Sequence, residues 1–454
     1  MITDNMFKAN DIRGLAGGAD AEWDAEGARH IAAAFVETFD LVGREFVMGR
    51  DMRTTGVELS QAFAAGAIAA GASVVDIGLA STDEVWFASG FLHLPAVQFS
   101  ASHNPATYNG IKFCEVDAAP VTTDTLLRIK ARSHDTIPPA ATPGGYREQD
   151  VLGDYADYLH SLVDLRGIRR LKVVVDAGNG MAGHTTPAVL GSLNVEIIGL
   201  YLDLDGRFPN HTPNPLIPEN LLDAQQAVRD HKADLGLVFD GDADRCFVID
   251  ERGEVVDPAI VTAVIAQQEL RREPGSTIVI NTITSQATAE AVRAAGGTVV
   301  VSPVGHTKVK ALMAKHSAVF GGEHSAHYYF RDFWGADTGM LAGLHMISMV
   351  GHGERSLSDL VSELSGTYTL SGEINSTVTD APAIQQLVAA AFADRGVIDW
   401  TDGLMIRGDD DWWISVRSSN TEPLLRLNVE ARHAAAMAAL RDETLAIIRG
   451  TDGR

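Results

Sequence analysis

The sequence has 454 residues, of which 46% are hydrophobic and 21% are charged, and its formal net charge is −24. This length suffices for about three or four domains, and the excess of negative charge argues against a general nucleic-acid-binding protein. The start of the chain lacks a basic region followed by an apolar core, and the most apolar stretch is Ala- and Gly-rich and carries Asp76, so we expect neither a signal peptide nor a membrane span. Only two cysteines occur, Cys114 and Cys246, so a disulfide framework is not indicated and a cytoplasmic location is expected.

Residues 1–149 alternate Ala-rich helices with short strands rich in Val and Ile. We predict a helix, a strand, a helix and a strand for EGARHIAAAFVETF, EFVMGRD, LSQAFAAGAIAAG and SVVDIG. A charged segment, LLRIKAR, follows, and the Pro- and Gly-rich stretch IPPAATPGGYREQD is predicted to be a linker that ends the unit. The alternation predicts an α/β unit.

A polar loop follows the apolar run LPAVQF within this first unit. It lies in FSASHNPATYNGIKF and contains Asn-Pro and Asn-Gly, which are turn-forming pairs. A strand that ends in such a loop presents side chains at a sheet edge, where a scaffold commonly holds chemistry. Ser102 and His103 are therefore candidate catalytic residues, and an ordinary turn whose serines cap the backbone is the alternative.

The second unit, residues 150–253, contains a row of three aspartates. Its predicted helix DYADYLHSLVD and the strand of LKVVVDAGNGMAG precede a further strand and then DGDADR, with Asp240, Asp242 and Asp244 at every second position. In an extended loop these carboxylates project to one side and can converge on a hard cation. An EF-hand is excluded, because Arg245 stands where its turn needs glycine. A solvated acidic turn and a phosphatase with an aspartate nucleophile remain alternatives.

The third unit, residues 254–369, carries three polar side chains at alternate positions. The segments PAIVTAVIAQQEL, STIVINT and GTVVVS predict a helix and two strands, with another helix between the strands. The segment GGEHSAHYYF then offers Glu323, Ser325 and His327. In an extended chain all three face the same way and present an acceptor, a hydroxyl and an imidazole to a polyhydroxy ligand. A structural histidine explains the pattern about as well.

The last unit, residues 370–454, is predicted to be α+β. SGEINSTV, GLMIRGD, DWWISVRSS and LLRLNVEA indicate consecutive strands, and AAAMAALRDETLAIIRG indicates a helix. The turn before the last strand concentrates possible phosphate ligands: Arg417, Ser418, Ser419, Asn420 and Thr421. An arginine fork together with hydroxyl and amide donors suits the oxygens of a phosphate, and a capped turn is the alternative.

Two basic loops elsewhere in the chain fit the same kind of ligand. DIRG contributes Arg13, and VGHTKVK contributes His306 and Lys308. The first three units also share the order strand, helix, strand at similar length, which suggests related folds.

In combination, these motifs resemble those of the α-D-phosphohexomutase superfamily, and the resemblance covers essentially the whole chain. The superfamily's loop T-A-S-H-N-P is similar to residues 100–105, with Ser in place of Thr. Its D-G-D-x-D-R matches residues 240–245, its G-E-x-S-x-H matches 322–327, and its R-x-S-x-T-E-P matches 417–423.

The resemblance implies three similar mixed α/β domains and a smaller α+β C-terminal domain around a central cleft. It implies that Ser102 carries a phosphoryl group and that Mg²⁺ is held by this phosphoserine together with Asp240, Asp242 and Asp244. Arg245 and Lys112 are then further cations beside the transferred group. Residues expected to donate or accept the proton of the sugar hydroxyl are Arg13, His103, Lys112, His306 and His327.

The sugar motif GEHSAHYYFRDF resembles that of bacterial phosphomannomutases. The implied reaction interconverts mannose 1-phosphate and mannose 6-phosphate through a hexose 1,6-bisphosphate, which also serves as the activator. Residues expected to bind the hexose phosphate are His306, Glu323, Ser325, Arg417, Ser419, Asn420 and Thr421.

Two departures from the family pattern bear on the choice of sugar. Asn10 replaces the aromatic residue that many relatives have before D-I-R-G, and VINTITS lacks the lysine of dual-specificity relatives. A phosphoglucomutase or dual-specificity enzyme is therefore the first alternative, followed by a sugar-phosphate phosphatase and a catalytically silent binding protein. The expected partners are small hexose phosphates, without nucleic acid or membrane, and the protein is expected to be a monomer or a homodimer.

Overall fold

Four β-sheets follow one another along the chain in the computed structural model, which describes residues 1–8, 10–365, 368–409, 411–418 and 424–450. The first sheet has the strand order β1-β5-β4-β2-β3-β6. Its unit consists of β1 (Ile12–Leu15), α1 (Ala25–Thr38), β2 (Glu45–Arg50), α2 (Gly56–Ala69), β3 (Ser73–Leu79), α3 (Thr82–Leu92), β4 (Ala96–Phe99), β5 (Tyr108–Cys114), α4 (Thr123–Ser133) and β6 (Tyr146–Glu148). The strands β2, β3, β4 and β6 pair in parallel, whereas β5 and β1 are antiparallel to their neighbours.

The second sheet has the order β11-β10-β9-β7-β8. Its elements are α5 (Leu152–Leu162), β7 (Leu171–Asp176), α6 (Ala182–Leu190), β8 (Val195–Leu200), α7 (Leu222–His231), β9 (Leu235–Phe239), β10 (Cys246–Asp250) and β11 (Val255–Val256). The strands β7 and β9 read as nearly continuous apolar runs because helices cover both faces of the parallel part of the sheet.

The third sheet has the order β13-β12-β14-β15-β16. Its elements are α8 (Pro258–Arg272), β12 (Thr277–Asn281), α9 (Gln286–Ala294), β13 (Thr298–Ser302), α10 (His306–His316), β14 (Phe320–Gly322), β15 (Tyr328–Phe330), β16 (Ala336–Asp337), α11 (Gly339–His352) and α12 (Leu357–Ser365). As in the second sheet, a central strand lies parallel to two neighbours, and an antiparallel hairpin continues one side.

The fourth sheet is antiparallel, with the order β17-β22-β21-β20-β19, and β18 also pairs with β22. Its elements are β17 (Thr369–Leu370), β18 (Ile374–Thr377), α13 (Ala381–Ala391), β19 (Val397–Asp399), β20 (Leu404–Gly408), β21 (Trp412–Ser418), β22 (Leu424–Ala431) and α14 (Ala434–Gly450). Three related mixed sheets and one antiparallel sheet confirm the predicted fold class.

The structure differs from the predicted secondary structure in two places. The predicted linker before residue 149 contains β6, which pairs with β3, and α13 interrupts the strands that we predicted to be consecutive. The strand β11 pairs with β10 although it lies beyond residue 253, the predicted end of the second unit. The four unit boundaries themselves remain a prediction.

The hydrophobic cores show which units pack together. One cluster of buried side chains runs from α3 of the first unit through the second and third units, whereas the first and fourth units also have cores of their own. At Gly90 on α3 the indole of Trp334 approaches so closely that a Cβ would lie 2.2 Å from its ring atoms. Among the described residues, no helix is both long enough and apolar enough to cross a membrane.

Candidate active site

Three loops at equivalent positions of the first three sheets carry the candidate residues. The serine loop (residues 100–107) joins β4 to β5, the aspartate loop (240–245) joins β9 to β10, and the glutamate loop (323–327) joins β14 to β15. Each loop contains one residue in the left-handed region: Ser102 (φ 50°), Ala243 (φ 62°) and Ala326 (φ 62°). The same antiparallel hairpin therefore delivers a polar turn from each related unit to one place.

The Ser102 hydroxyl is buried and lies among charged groups. Its Oγ donates a hydrogen bond to Asp240 Oδ2 at 2.8 Å and accepts one from Arg245 Nη2 at 3.1 Å. The His103 Nδ1 atom lies 3.3 Å from the same Oγ and accepts a hydrogen bond from Arg245. Because an arginine only donates, His103 must carry its proton on Nε2 if it is neutral. Burial, helped by Arg245 and Arg13, lowers the pKa of His103 well below its usual value.

A buried arginine that the sequence analysis missed holds the serine loop. The Arg53 guanidinium donates at 2.7–2.8 Å to four backbone carbonyl oxygens of this segment, those of Ser102, Asn104, Pro105 and Tyr108. Its Nε atom faces Asp51 Oδ2 at 3.2 Å, and neither side chain is exposed. Arg53 thus satisfies the carbonyl oxygens that a tight loop leaves unpaired.

The three aspartates of the aspartate loop converge as predicted, and all are buried. Lys112 Nζ, on β5, lies 2.6 Å from Asp242 Oδ2 and 2.5 Å from Asp244 Oδ2. Burial and the neighbouring Asp244 raise the pKa of Asp240. Burial alone would also raise the pKa of Asp242, but Lys112 and its hydrogen bond bring that pKa below its ordinary value.

The unpaired oxygens of the triad fit a hard cation. In the part of the chain that the structure describes, Asp242 Oδ1 and Asp244 Oδ1 are buried without a hydrogen-bond partner. The carboxylates of Asp240, Asp242 and Asp244 offer oxygens within 4.8 Å of one another. A cation with oxygen ligands, such as Mg²⁺, would satisfy these oxygens and relieve the repulsion among three buried carboxylates.

Thr82, at the start of α3, fixes the orientation of one of these carboxylates. Its Oγ1 donates to Asp242 Oδ2 at 2.6 Å, and its backbone N–H donates to the Asp242 carbonyl at 2.9 Å. Because Oδ2 is held in this way, Asp242 Oδ1 is the oxygen that remains for a cation. The aspartate loop is thereby attached to a helix of the first unit.

The next residue, Asp83, joins three units through hydroxyl groups. Its carboxylate accepts hydrogen bonds from Ser81 at 2.5 Å, from Tyr155 of the second unit at 2.8 Å and from Thr338 of the third at 2.7 Å. Burial raises the pKa of Asp83 to about 6. The adjacent Glu84 is also buried, and burial together with Asp83 raises its pKa to about 8.

The glutamate loop lies directly against the aspartate loop. An isolated antiparallel bridge pairs Arg245 with His327, and His327 Nε2 lies 3.8 Å from Asp244 Oδ1. The Ser325 hydroxyl lies 2.9 Å from His327 Nδ1. Burial, together with the charge of Arg245, lowers the pKa of His327 to about 3, so this imidazole is neutral.

The Glu323 carboxylate is held by its own unit. It accepts hydrogen bonds from the Tyr329 hydroxyl at 2.6 Å and from the Gly305 backbone N–H at 3.1 Å. Gly305 precedes His306, the first residue of α10, and His306 lines the same cavity as Glu323. Burial lowers the pKa of His306.

The basic residues near the cleft differ in part from those that the sequence suggested. Arg13 faces the cavity, with Nε 2.8 Å from Asp11 and Nη1 3.1 Å from the Asn104 side chain. The Lys308 side chain is 54% exposed, whereas Lys310, two residues further along α10, lines the cavity and lies 2.6 Å from Asp337.

The fourth unit contributes two arginines near the cleft, of which Arg426 lines the cavity and Arg417 does not. Arg417 Nε lies 3.5 Å from Asp402 Oδ2, and its Nη1 is buried without a partner among the described residues. Three predicted ligands, Ser419, Asn420 and Thr421, lie outside the described residues. Arg426 on β22 was missed by the sequence analysis; it lines the cavity, and its Nε is likewise buried without a partner in the described chain.

All four units line one cavity of about 1000 Å³. Its wall includes Ser102 from the first unit, Arg245 from the second, Glu323 from the third and Arg426 from the fourth. Arginines and lysines lie close to the buried carboxylates on this wall. Such a cavity suits a small, hydroxyl-rich anion together with a cation.

Comparison with known families assigns this architecture. Models described as phosphoglucomutase/phosphomannomutase match the chain four times: α/β/α domain I over residues 4–137, domain II over 153–253, domain III over 257–368 and the C-terminal domain over 373–447. The chain belongs to the phosphoglucomutase/phosphomannomutase family.

Curated relatives match over nearly the full length. A phosphomannomutase of Salmonella typhimurium is 39% identical over 450 residues, which cover 97% of each chain. A phosphomannomutase of Escherichia coli is 38% identical over 450 residues and 97% of each chain. A protein named phosphohexose mutases from Xanthomonas campestris is 39% identical over 98% of this chain and 99% of its own.

Solved structures share the fold. A phosphoglucomutase/phosphomannomutase family protein from Burkholderia thailandensis matches with a TM-score of 0.90 and 33% identity, over 100% of this chain and 99% of its own. A putative phosphomannomutase from Thermus thermophilus matches with a TM-score of 0.83 over 99% of this chain and 100% of its own, and at 21% identity it supports the fold alone.

Proposed function

We propose that this protein is a phosphomannomutase that interconverts mannose 1-phosphate and mannose 6-phosphate. The observation that carries the proposal is the position of Ser102. Its buried hydroxyl lies between the Asp240 carboxylate and the Arg245 guanidinium, at the edge of a cavity that all four units line. The relatives named phosphomannomutase at 38–39% identity favour mannose phosphates as substrates.

In this proposal Ser102 carries a phosphoryl group in the active enzyme. The Oγ–P bond breaks as the free hydroxyl of the bound sugar forms a new O–P bond, which produces a hexose 1,6-bisphosphate. The bisphosphate turns within the cavity, and Ser102 Oγ then takes the other phosphoryl group. The same bisphosphate, added from solution, phosphorylates an unmodified Ser102 and so acts as the activator.

The charged neighbours of Ser102 supply the stabilisation that this transfer needs. The transition state spreads negative charge over three oxygens, so positioning and electrostatics dominate catalysis. Arg245 donates towards these oxygens from one side. Asp240, Asp242, Asp244 and the seryl phosphate would hold Mg²⁺, which would supply positive charge to the transferred group. Lys112, which contacts Asp242 and Asp244, keeps its positive charge at all physiological pH values because those carboxylates raise its pKa against the effect of burial.

The proton of the sugar hydroxyl needs an acceptor near the glutamate loop. His103 carries its proton on Nε2, because Arg245 donates to its Nδ1, so His103 donates towards the cleft. His327 is a neutral imidazole whose Nε2 is free to accept a proton when Nδ1 donates to Ser325. We assign His327 as the general base, because the negative charge of a bound hexose phosphate would raise its pKa from about 3. We assign Arg13, His103 and His306 as groups that bind and orient the ligand.

The non-reacting phosphate is held by the fourth unit in this proposal. Arg417 has a buried Nη1 without a partner among the described residues, and the Arg426 Nε is in the same situation. Unpaired guanidinium nitrogens that are buried favour an anion with several acceptor oxygens. Glu323 and Ser325 bind sugar hydroxyls, and Ser419, Asn420 and Thr421 complete the phosphate ligands.

The test is a turnover assay that identifies the product. Mannose 1-phosphate is incubated with the enzyme, Mg²⁺ and a catalytic amount of hexose 1,6-bisphosphate, and phosphorus NMR follows the products. We expect mannose 6-phosphate and one phosphoryl adduct on the intact protein that disappears when sugar monophosphate is added. Release of inorganic phosphate without isomer would instead indicate a phosphatase.

The same assay compares the two sugars. The kcat/KM values for mannose 1-phosphate and glucose 1-phosphate are measured under identical Mg²⁺ and activator. We expect mannose 1-phosphate to be the better substrate. A clear preference for glucose 1-phosphate would contradict the assignment to mannose while leaving the phosphoryl-transfer chemistry intact.

A further inference from the structure

The side chain of Asn281, at the end of β12, has a fixed orientation. Its Oδ1 accepts hydrogen bonds from the Thr284 hydroxyl at 2.8 Å and from the Ile283 backbone N–H at 3.3 Å. The amide nitrogen must therefore be Nδ2, which is only a donor. This Nδ2 lies 3.0 Å from His324 Nδ1 in the glutamate loop.

The contact with Asn281 fixes the tautomer of His324. Because Asn281 Nδ2 donates, His324 Nδ1 must accept, and the ring proton of the neutral imidazole lies on Nε2. Burial, together with the charges of Arg417 and Arg426, lowers the pKa of His324 to about 3. His324 therefore presents an Nε2–H donor that keeps this role across the physiological pH range.

Across the cavity, this donor faces a carboxylate of the fourth unit. His324 Nε2 lies 4.0 Å from Glu373 Oε2, and both residues line the cavity while their side chains are about one-quarter exposed. The other Glu373 oxygen lies 3.6 Å from Arg426, which orients the carboxylate. A separation of 4.0 Å is too long for a hydrogen bond.

A sugar hydroxyl fits this separation. An oxygen about 2.8 Å from both atoms would subtend an angle of about 90°, which lets it accept from His324 and donate to Glu373. A hydroxyl both accepts and donates, whereas a hydrogen atom in its place leaves a donor and an acceptor unpaired where the bound sugar shields them from water. The two side chains come from different units, so one hydroxyl would connect the third unit to the fourth.

We propose that His324 and Glu373 form a hydroxyl-reading pair that determines which hexose the cavity prefers. The inference rests on the proposed function, because it takes a hexose phosphate as the ligand. The pair is separate from Glu323, whose carboxylate is already held by Tyr329 and Gly305. A site built to pair one hydroxyl discriminates strongly against its epimer or its deoxy analogue.

The test uses deoxy analogues and measures binding instead of turnover. The 1-phosphates of glucose, mannose and 2-, 3- and 4-deoxyglucose are titrated calorimetrically into the wild type, His324→Leu and Glu373→Gln. Each protein is first freed of its phosphoryl group with sugar monophosphate and dialysed, so that no transfer occurs during the titration. The matched control is His316→Leu, at an exposed histidine at the end of α10. Circular dichroism checks the fold of each variant.

We expect the wild type and the control to bind one deoxy analogue at least about tenfold more weakly than its parent. In His324→Leu this penalty should fall to about twofold or less for that position only, and Glu373→Gln should reduce the same penalty. If the 2-position is the one affected, the variants should also bind mannose 1-phosphate and glucose 1-phosphate with nearly equal affinity.

The proposal would be overturned if the wild type and the variants lost the same affinity for every deoxy analogue. It would also be overturned if the substitutions changed the loss of affinity at every position of the sugar. Because a variant can be disturbed by its own substitution, the two variants on opposite sides of the gap must agree. Selective binding without isomer formation would refute the proposed function but support the pair. Isomer formation with unchanged selectivity would refute the pair alone.

Discussion

Arg53 provides the most demanding test of how this structure positions Ser102, the proposed nucleophile. Its guanidinium pairs with Asp51 and donates to three carbonyl oxygens of the serine loop and to that of Tyr108 at the start of β5, yet it does not line the cavity. We expect Arg53→Lys to fold with a lowered melting temperature and to lose catalytic turnover while KM changes little. The reason is that an ammonium keeps the charge facing Asp51 but cannot reach four carbonyl groups in the planar geometry of an arginine.

The magnitude follows from the contacts. Charge-assisted hydrogen bonds contribute about 1.5–3 kcal/mol each, but four such terms do not add when one loop relaxes as a unit. Breaking a buried ion pair by removing one partner costs about 3–5 kcal/mol, and we expect that range for Arg53→Met, with a melting temperature lower by about 3–5 °C. For Arg53→Lys, a displacement of Ser102 by about 1 Å should lower kcat about 100-fold.

The assay combines thermal unfolding with kcat and KM for mannose 1-phosphate. Arg44→Lys is the matched control, because the Arg44 side chain is 65% exposed and its ion pair with Asp40 is a surface pair of little energetic weight. An Arg53→Lys enzyme with wild-type kcat would show that the serine loop keeps its conformation without the guanidinium. The argument would also fail if KM rose while kcat stayed constant.

Three further predictions concern the nucleophile, the cation and a buried carboxyl group. Ser102→Ala should lower kcat by several orders of magnitude while calorimetry still detects binding of the hexose phosphate, whereas Ser100→Ala should stay active. The reverse result would indicate that Ser100 is the nucleophile. Thr82→Val should weaken Mg²⁺ binding about tenfold, because Asp242 loses the hydroxyl that orients it. Thr82→Ser, which keeps a hydroxyl, should bind Mg²⁺ as the wild type does. Titration calorimetry measures the affinities, and equal values in all three proteins would refute this role of Thr82. Glu84 has a pKa of about 8 in the folded protein against 4.5 in the unfolded chain, so the folded state binds this proton more tightly and the free energy of unfolding falls as the pH rises from about 4.5 to 8. Glu84→Gln should lack this loss. The prediction would be contradicted if the melting temperatures of both proteins changed with pH in the same way.

The sequence predicts the residues that project from the loops far better than the residues that hold the loops. Ser102 and Asp240 stand in short motifs of polar residues after apolar strands, where chemistry is expected. Arg53 and Thr82 reach their partners from 49 and 160 positions away along the chain. Local spacing and periodicity do not predict such contacts, because the contacts form only when β2 and α3 pack beside the loops.

Arg426 shows a second limit of sequence reasoning. It lies in LLRLNVEA, where alternation indicates a strand and does not say which face meets the cavity. The register that pairs Arg426 with Arg417 on β21 brings both arginines to the same end of the sheet. The phosphate motif could be found from its turn, but this second arginine needed the strand pairing.

The repeated hairpin explains how several kinds of polar side chain come to line one cavity. Because the three related units each deliver a turn between equivalent strands, a hydroxyl, a carboxylate triad and a glutamate loop meet without long insertions. Asp83 ties these units together through hydroxyl groups, and the bridge from Arg245 to His327 joins two of the loops directly. In phosphoryl transfer the protein contributes mainly position and charge, so rigid connections among these loops are what the reaction requires.

The fourth unit is attached to the rest of the molecule differently from the other three units. Its core is distinct from the core that the second and third units share. Polar contacts attach it to the third unit: Asp402 accepts from the Thr282 hydroxyl and the Val304 backbone N–H, and Glu430 accepts from the Gln286 backbone N–H. A small apolar cluster of Ile283, Met405 and Trp413 adds to this interface. A small mixed interface of this kind holds two units less firmly than an extended shared apolar core does. In the proposed function, the groups that contact the reacting phosphoryl group therefore lie on the units with the continuous core. The groups proposed to bind the distant phosphate lie on the unit that can adjust while a bisphosphate turns.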